Sequence, residues 1–74
     1  MQIKVRLFAT LRNGRGKELL TELQENGTVR DIIALLEIPE TEVAILLING
    51  RDGTLDRPLL ETDVVSIFPP VGGG

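Results

Sequence analysis

The chain has no cysteine, histidine, tyrosine or tryptophan, and its only aromatic residues are Phe8 and Phe68. Without cysteine there is no disulfide to brace a small fold and no thiol for nucleophilic or redox chemistry. Without histidine the usual proton shuttle near neutral pH is missing. What remains for chemistry is carboxylates, two lysines, six arginines and scattered hydroxyls. Glu40 with Glu42, or Glu61 with Asp63, has the composition of an acid/base pair, but each lies in a polar stretch expected to form a solvated turn. Neither self-contained catalysis nor a metal site is expected.

Long apolar runs are lacking too. The longest, residues 43–48, falls far below the ~20 residues needed to cross a bilayer. Lys4 and Arg6 interrupt the first apolar stretch, whereas a signal peptide carries its charge ahead of one. These features set the expectation of a soluble, cytoplasmic protein with no membrane partner. Eight basic and eleven acidic residues give a net charge of −3 without any contiguous run of one sign. That balance is too small and too mixed for a nucleic-acid-binding face. Seventy-four residues make one domain. At this size a chain buries about 60% of its surface, and 42% hydrophobic residues supply one compact core.

Residues 1–8 alternate, with Met1, Ile3, Val5 and Leu7 on one face and Gln2, Lys4, Arg6 and Phe8 on the other. This is the period of a strand with one buried face. Turn signals follow at Asn13-Gly14 and Gly16. A second strand is expected over residues 17–23, closed by Glu25-Asn26-Gly27. Thr28-Val29-Arg30-Asp31 matches a capping signature for a helix. Val29, Ile32, Ile33 and Leu36 continue it as one apolar stripe, and Pro39 stops it near Ile38. Residues 43–48 are apolar on both faces, the pattern of a fully buried strand or of one whose second face meets a partner. Asn49-Gly50 and Asp52-Gly53 are turn signals, and Leu59-Leu60 forms a short apolar patch. Residues 64–68 alternate again, with Val65 and Ile67 on one face and Val64, Ser66 and Phe68 on the other. The economical solution is an α+β domain of residues 1–68, in which a mixed sheet of four to five strands carries one main helix across it.

Residues 69–74 read as an extended, flexible C-terminal tail. Pro69 and Pro70 end the last strand, because neither has an amide hydrogen to donate, and both hold the backbone extended. The six residues reach roughly 20 Å at most. Gly72, Gly73 and Gly74 carry no Cβ, so the tail passes through a channel that any side chain would block. A terminal carboxylate on Gly74 is ionised at neutral pH and is a poor electrophile. Acyl chemistry there requires activation, and an adenylating partner that leaves AMP as the departing group supplies it. The chain would then be carrier and substrate, not catalyst. The bland alternative is a frayed end.

Phe68-Pro69-Pro70-Val71 followed by Gly73-Gly74 resembles the ending of the ubiquitin-like β-grasp sulfur carriers of the MoaD/ThiS family, and most closely that of the molybdopterin synthase small subunits. The opening strand Ile3-Lys4-Val5-Arg6-Leu7-Phe8-Ala9, the helix start Thr28-Val29, the strand end Ile48-Asn49-Gly50 and the Pro58-Leu59 segment carry the likeness over essentially the whole chain. The chain departs from the family in having Glu61-Thr62-Asp63 where an Asp-Gly-Asp type of turn is common. The resemblance implies a β-grasp fold and a terminal glycine, here Gly74, that is adenylated and converted to a thiocarboxylate. It implies an adenylyltransferase of the ubiquitin-activating type that uses ATP, a sulfur donor protein, and a sulfur acceptor. That acceptor is a molybdopterin synthase large subunit (MoaE-like) or a thiazole synthase. No cofactor is expected to be bound by the chain itself.

In a β-grasp sheet the first and last strands run parallel side by side, so Phe8 and Phe68 are expected together near the root of the tail. Exposed aromatics there are anchors for a partner; the alternative is that they pack beneath loops. Leu47, with Ile45 if the strand turns it outward, and Leu59 extend the expected patch. Three further readings remain open: a carrier for thiazole or cysteine synthesis, a ubiquitin-like modifier joined to lysines through Gly74, and an interaction module with an inert tail.

Overall fold

The computed structural model describes residues 1–71. Chain order is β1 (Gln2–Leu7), β2 (Glu18–Glu22), α1 (Val29–Leu35), β3 (Ile45–Ile48), β4 (Arg51–Asp52) and β5 (Val64–Phe68), with short 3-10 turns at Ala9–Arg12 and Glu40–Glu42. The five strands form one sheet in the order β2-β1-β5-β3-β4. The central pair, β1 and β5, is parallel, and every other pairing is antiparallel.

The alternation of β1 puts Ile3, Val5 and Leu7 wholly inside, and the matching alternation of β5 buries Val65 and Ile67. Leu46 and Ile48 of β3 complete the inner face of the sheet. Across it lies α1, whose Val29, Ile32 and Ile33 close the core. Each of these side chains contributes about 1.5–3 kcal/mol by leaving water. A sheet with one apolar face and a helix with one apolar stripe cover each other, which is why the single helix suffices.

Thr28 and Asp31 close the capping box that the sequence anticipates. The Asp31 carboxylate accepts a hydrogen bond from the Thr28 backbone N–H at 2.9 Å. The helix ends earlier than Pro39 alone implies, with Leu35 its last residue. Glu37 turns into the left-handed region (φ 58°). Its N–H then donates to the Ala34 carbonyl, and the Ile38 N–H donates to the Ile33 carbonyl. This is a Schellman closure with glutamate where glycine is usual. Arg15 holds the same end by donating to the Leu36 carbonyl at 3.1 Å and the Glu37 carbonyl at 3.3 Å. At the other end, Arg30 pairs with Asp56 at 2.8 Å and Glu40 at 2.7 Å. Glu40 thus serves as an ion-pair partner on the surface.

Three expectations are corrected. The second strand covers Glu18–Glu22 and is shorter than residues 17–23. Residues 43–48 do not form one strand buried on both faces: β3 starts at Ile45, buries Leu46 and Ile48, and turns Ile45 and Leu47 to the outer face. The Leu59-Leu60 patch is split. Leu59 donates its N–H to the Gly27 carbonyl at 2.8 Å and enters the core, leaving Leu60 exposed. The two-residue β4 arises because Asn49 (φ 55°) and Gly50 (φ 79°) both adopt the left-handed conformation of a type I′ hairpin turn. That turn folds Arg51 and Asp52 back onto Ile48 and Leu47.

Candidate functional site

The parallel register aligns Leu7 with Ile67, so the next residue on each strand is a phenylalanine. Phe8 and Phe68 stack with ring centroids 4.0 Å apart and planes 10° from parallel. Both rings are half-buried on the outer side of the sheet. They are therefore neither free anchors nor packed beneath loops, because each covers the other. Such a pair is worth about 0.5–1.5 kcal/mol beyond its buried area.

Local backbone geometry fixes the pair. Ala9 takes the left-handed conformation (φ 53°) immediately after Phe8, at a cost of about 1–2 kcal/mol for a residue with a Cβ. The turn it makes sends Leu11 into the core while Phe8 stays outside. Arg12 follows in the same 3-10 turn. Its Nε donates to the Leu7 carbonyl at 2.8 Å, and its guanidinium lies 5.3 Å from the Phe8 ring centroid, within cation–π range. On the other side, Ile45 of β3 is registered opposite Phe68 and is half exposed. The result is a row across three strands: Arg12, Phe8, Phe68, Ile45. Sequence reasoning missed Arg12, whose only signal is its place one 3-10 turn beyond Phe8.

Phe8, Phe68 and Ile45 floor a groove whose walls include Thr10, Glu42, Pro69 and Val71. The Ala44 N–H donates to the Phe68 carbonyl at 2.9 Å, which ties the chain down at the last residue before the prolines. Pro69 is half-buried in the groove, Pro70 is exposed and Val71 is almost fully exposed. Leu47, half-buried beside Ser66, continues the outer apolar surface. Leu59, expected in this patch, is instead a core residue and has no part in it. Gly72, Gly73 and Gly74 lie outside the described residues.

The sequence places Asp63 with Glu61 in a solvated turn, but the Asp63 side chain is buried. Its carboxylate accepts from the Asn49 side-chain amide at 2.7 Å, the Leu60 N–H at 2.8 Å and Arg57 at 3.1 Å. Burial pushes its pKa upward, but the three donors outweigh that and hold it below the usual carboxylate range. An acid kept ionised by fixed donors is a structural latch, not a proton shuttle. It joins the β3–β4 turn to the start of β5, where the Val64 N–H donates to the Asn49 side-chain oxygen at 2.9 Å. Among the described residues no cluster of acidic side chains could hold a metal ion, and no helix is long and apolar enough to cross a membrane.

A five-stranded mixed sheet with a parallel central pair, one helix on its inner face and an aromatic pair at the root of the final segment define a ubiquitin-like β-grasp domain. The chain belongs to the ThiS family of ubiquitin-like sulfur carriers and modifiers, whose family profile matches residues 5–74. It is 33% identical, over 93 aligned positions covering all of both chains, to small archaeal modifier protein 3 of Haloferax volcanii. Its fold matches a protein assigned as molybdopterin converting factor subunit 1 from Pyrococcus furiosus with a TM-score of 0.76 and 31% identity, covering 96% of this chain and 99% of that one. It also matches, with a TM-score of 0.67, 25% identity and full coverage of both chains, a chain from the complex of subunits 1 and 2 of the molybdopterin-converting factor of Helicobacter pylori.

Proposed function

We propose that this chain is a sulfur carrier that works in molybdopterin synthesis, with Gly74 as the group that is loaded. In this reading an adenylyltransferase of the ubiquitin-activating type spends ATP to form the Gly74 acyl-adenylate. The terminal sulfur of a persulfide on a sulfur donor protein then displaces AMP, and a thiol reductively cleaves the resulting acyl disulfide, which frees the thiocarboxylate and leaves the donor as a disulfide. A synthase large subunit accepts the tail, and sulfur passes to the pterin precursor. Gly72 and Gly73 keep the tail slender, Pro69 and Pro70 set its exit, and the Phe8–Phe68 row with Ile45 and Leu47 receives the partner. The observation that carries the reading is the stacked pair, 4.0 Å apart, beside the root of a tail that carries no side-chain nucleophile. A half-exposed aromatic row next to a projecting segment suits recognition by another protein. The likeness to a molybdopterin converting factor subunit 1 favours this acceptor over a thiazole synthase.

The test is co-expression with the activating enzyme, ATP and a sulfur source. The chain should gain the mass of one oxygen-to-sulfur exchange, and deletion of Gly74 should abolish the gain. Persistence of the shift after that deletion refutes the assignment. A second reading, a modifier joined to lysines through Gly74, draws support from the 33% identity to a small archaeal modifier protein. Isopeptide-linked adducts in cell lysates, lost with Gly74, would favour it.

A further inference from the structure

The charges of this chain are segregated along its length. Residues 1–17 contain five of the eight cations (Lys4, Arg6, Arg12, Arg15 and Lys17) and none of the eleven carboxylates. The rest of the chain is correspondingly acidic. The fold brings most of this basic segment to one side of the aromatic row. Arg15 is spent on the helix-end carbonyls, and Lys4 and Arg6 share the single carboxylate of Glu18. Arg12 and Lys17 form no ion pair among the described residues. Together with Arg6, Phe8 and Glu18 they line a shallow cavity directly beside the stack. At the opposite end of the row stands Glu42, in the wall of the tail-root groove.

We infer that Arg12 and Lys17, seconded by Arg6, form a docking site for an acidic segment of a partner protein. The segment places its carboxylates on these cations and an apolar side chain on the Phe8–Phe68 row. The inference deepens the proposed function, since it assigns the chemistry of the partner that the row receives. Three observations favour an acidic peptide surface over other occupants. The surplus cations flank an apolar row at one end, so the complementary surface sets carboxylates beside an apolar stretch. Glu42 at the far end repels a ligand that is negative throughout its length, as a nucleic acid is. The acidic remainder of the chain does the same at longer range. The polarity from Arg12 to Glu42 also fixes which way round the partner lies.

The experiment uses the full chain, isotopically labelled for NMR. The first probe is a twelve-residue peptide with leucine at alternate positions, Glu/Asp between them in one half and Gln/Asn in the other; the second is its Gln/Asn counterpart with the same leucines. Saturable shifts at Phe8, Arg12, Lys17 and Phe68 are expected with the acidic peptide, and weaker affinity as NaCl rises from low to physiological concentration. Lys17→Glu, at an exposed position, should weaken binding about fivefold, the upper range for one surface ion pair. The Arg12→Gln/Lys17→Gln double variant should weaken it further, with a preserved amide spectrum showing that the fold survives. Equal binding of the neutral peptide, no effect of Lys17→Glu, or no binding of the acidic peptide at all would overturn the inference. So would tighter binding at the same site by a short RNA or by inorganic phosphate. Phe68→Ala separates the two levels. If it leaves both peptides unaffected while Lys17→Glu abolishes binding, the cationic site stands and the aromatic row is not the dock. If only Phe68→Ala matters, the row stands and the cationic site fails.

Discussion

Replacing Asp63 by asparagine keeps the shape of the side chain and removes one acceptor oxygen. In the native fold one carboxylate oxygen accepts from the Asn49 amide, and the other accepts from the Leu60 N–H and Arg57. An asparagine has a single oxygen. If that oxygen serves Leu60, the new amide faces the Asn49 amide, donor against donor. Asn49 cannot reverse to accommodate it, because its own oxygen already accepts from the Val64 N–H. The variant therefore loses a charge-assisted bond and strands a donor beside a buried group, together worth about 2–3 kcal/mol. Arg57 is well exposed, so its share is small. For a domain of this size such a loss lowers Tm by roughly 10–20 °C.

Urea titration of both proteins at pH 7, followed by far-UV circular dichroism, measures the gap. The folded-state pKa of Asp63 lies below its unfolded value. Its contribution is accordingly complete above the ordinary aspartate range and is lost as pH falls through the depressed folded value. The gap between wild type and Asp63→Asn should therefore close in strong acid. A difference under about 0.5 kcal/mol at pH 7, as for an ordinary surface change, would refute the latch. A gap that stays the same down to strong acid would refute the role of the charge.

Two more outcomes follow from the backbone and the core. Glu37→Gly should raise the urea midpoint and add about 1 kcal/mol, although glycine normally weakens helices, because Glu37 already sits in the left-handed conformation of the Schellman closure; a lower midpoint would count against that geometry. Leu59→Ala should cost about 2–5 kcal/mol, whereas Leu60→Ala should stay within about 0.5 kcal/mol, since only the first is buried; equal effects on thermal melting would contradict the split of the pair.

The strands and helix were legible because they obey local periodicities. A period of two in residues 1–8 and 64–68, and an i, i+3, i+4 stripe behind a capping pair, depend only on which residues follow one another. Pro69 and Pro70 were legible for a similar reason, since neither can donate to a strand ladder whatever surrounds it; the glycines beyond them lie outside the described residues. Where the sequence reading failed, the outcome depended on distant partners. Glu37 does not look like a helix terminator; it is held left-handed by a closure that Arg15, from a different turn, supports. Leu59 and Leu60 are the same residue type in adjacent positions. Their burial differs because one backbone bond to Gly27 fixes which of them faces the helix. Asp63 resembles any turn carboxylate until Asn49, fourteen residues earlier, reaches it.

The sequence by itself determined one core, one amphipathic helix and two alternating strands, because each of these rests on local stereochemistry. Only the tertiary structure decided that Phe8 lies on Phe68, that Arg12 caps that stack, and that Lys17 stands beside it without an ion-pair partner among the described residues. The first of these joins residues sixty positions apart through the register of a parallel strand pair, and the last depends on the antiparallel return of the next strand. Both are long-range choices of backbone hydrogen bonds that no local pattern encodes.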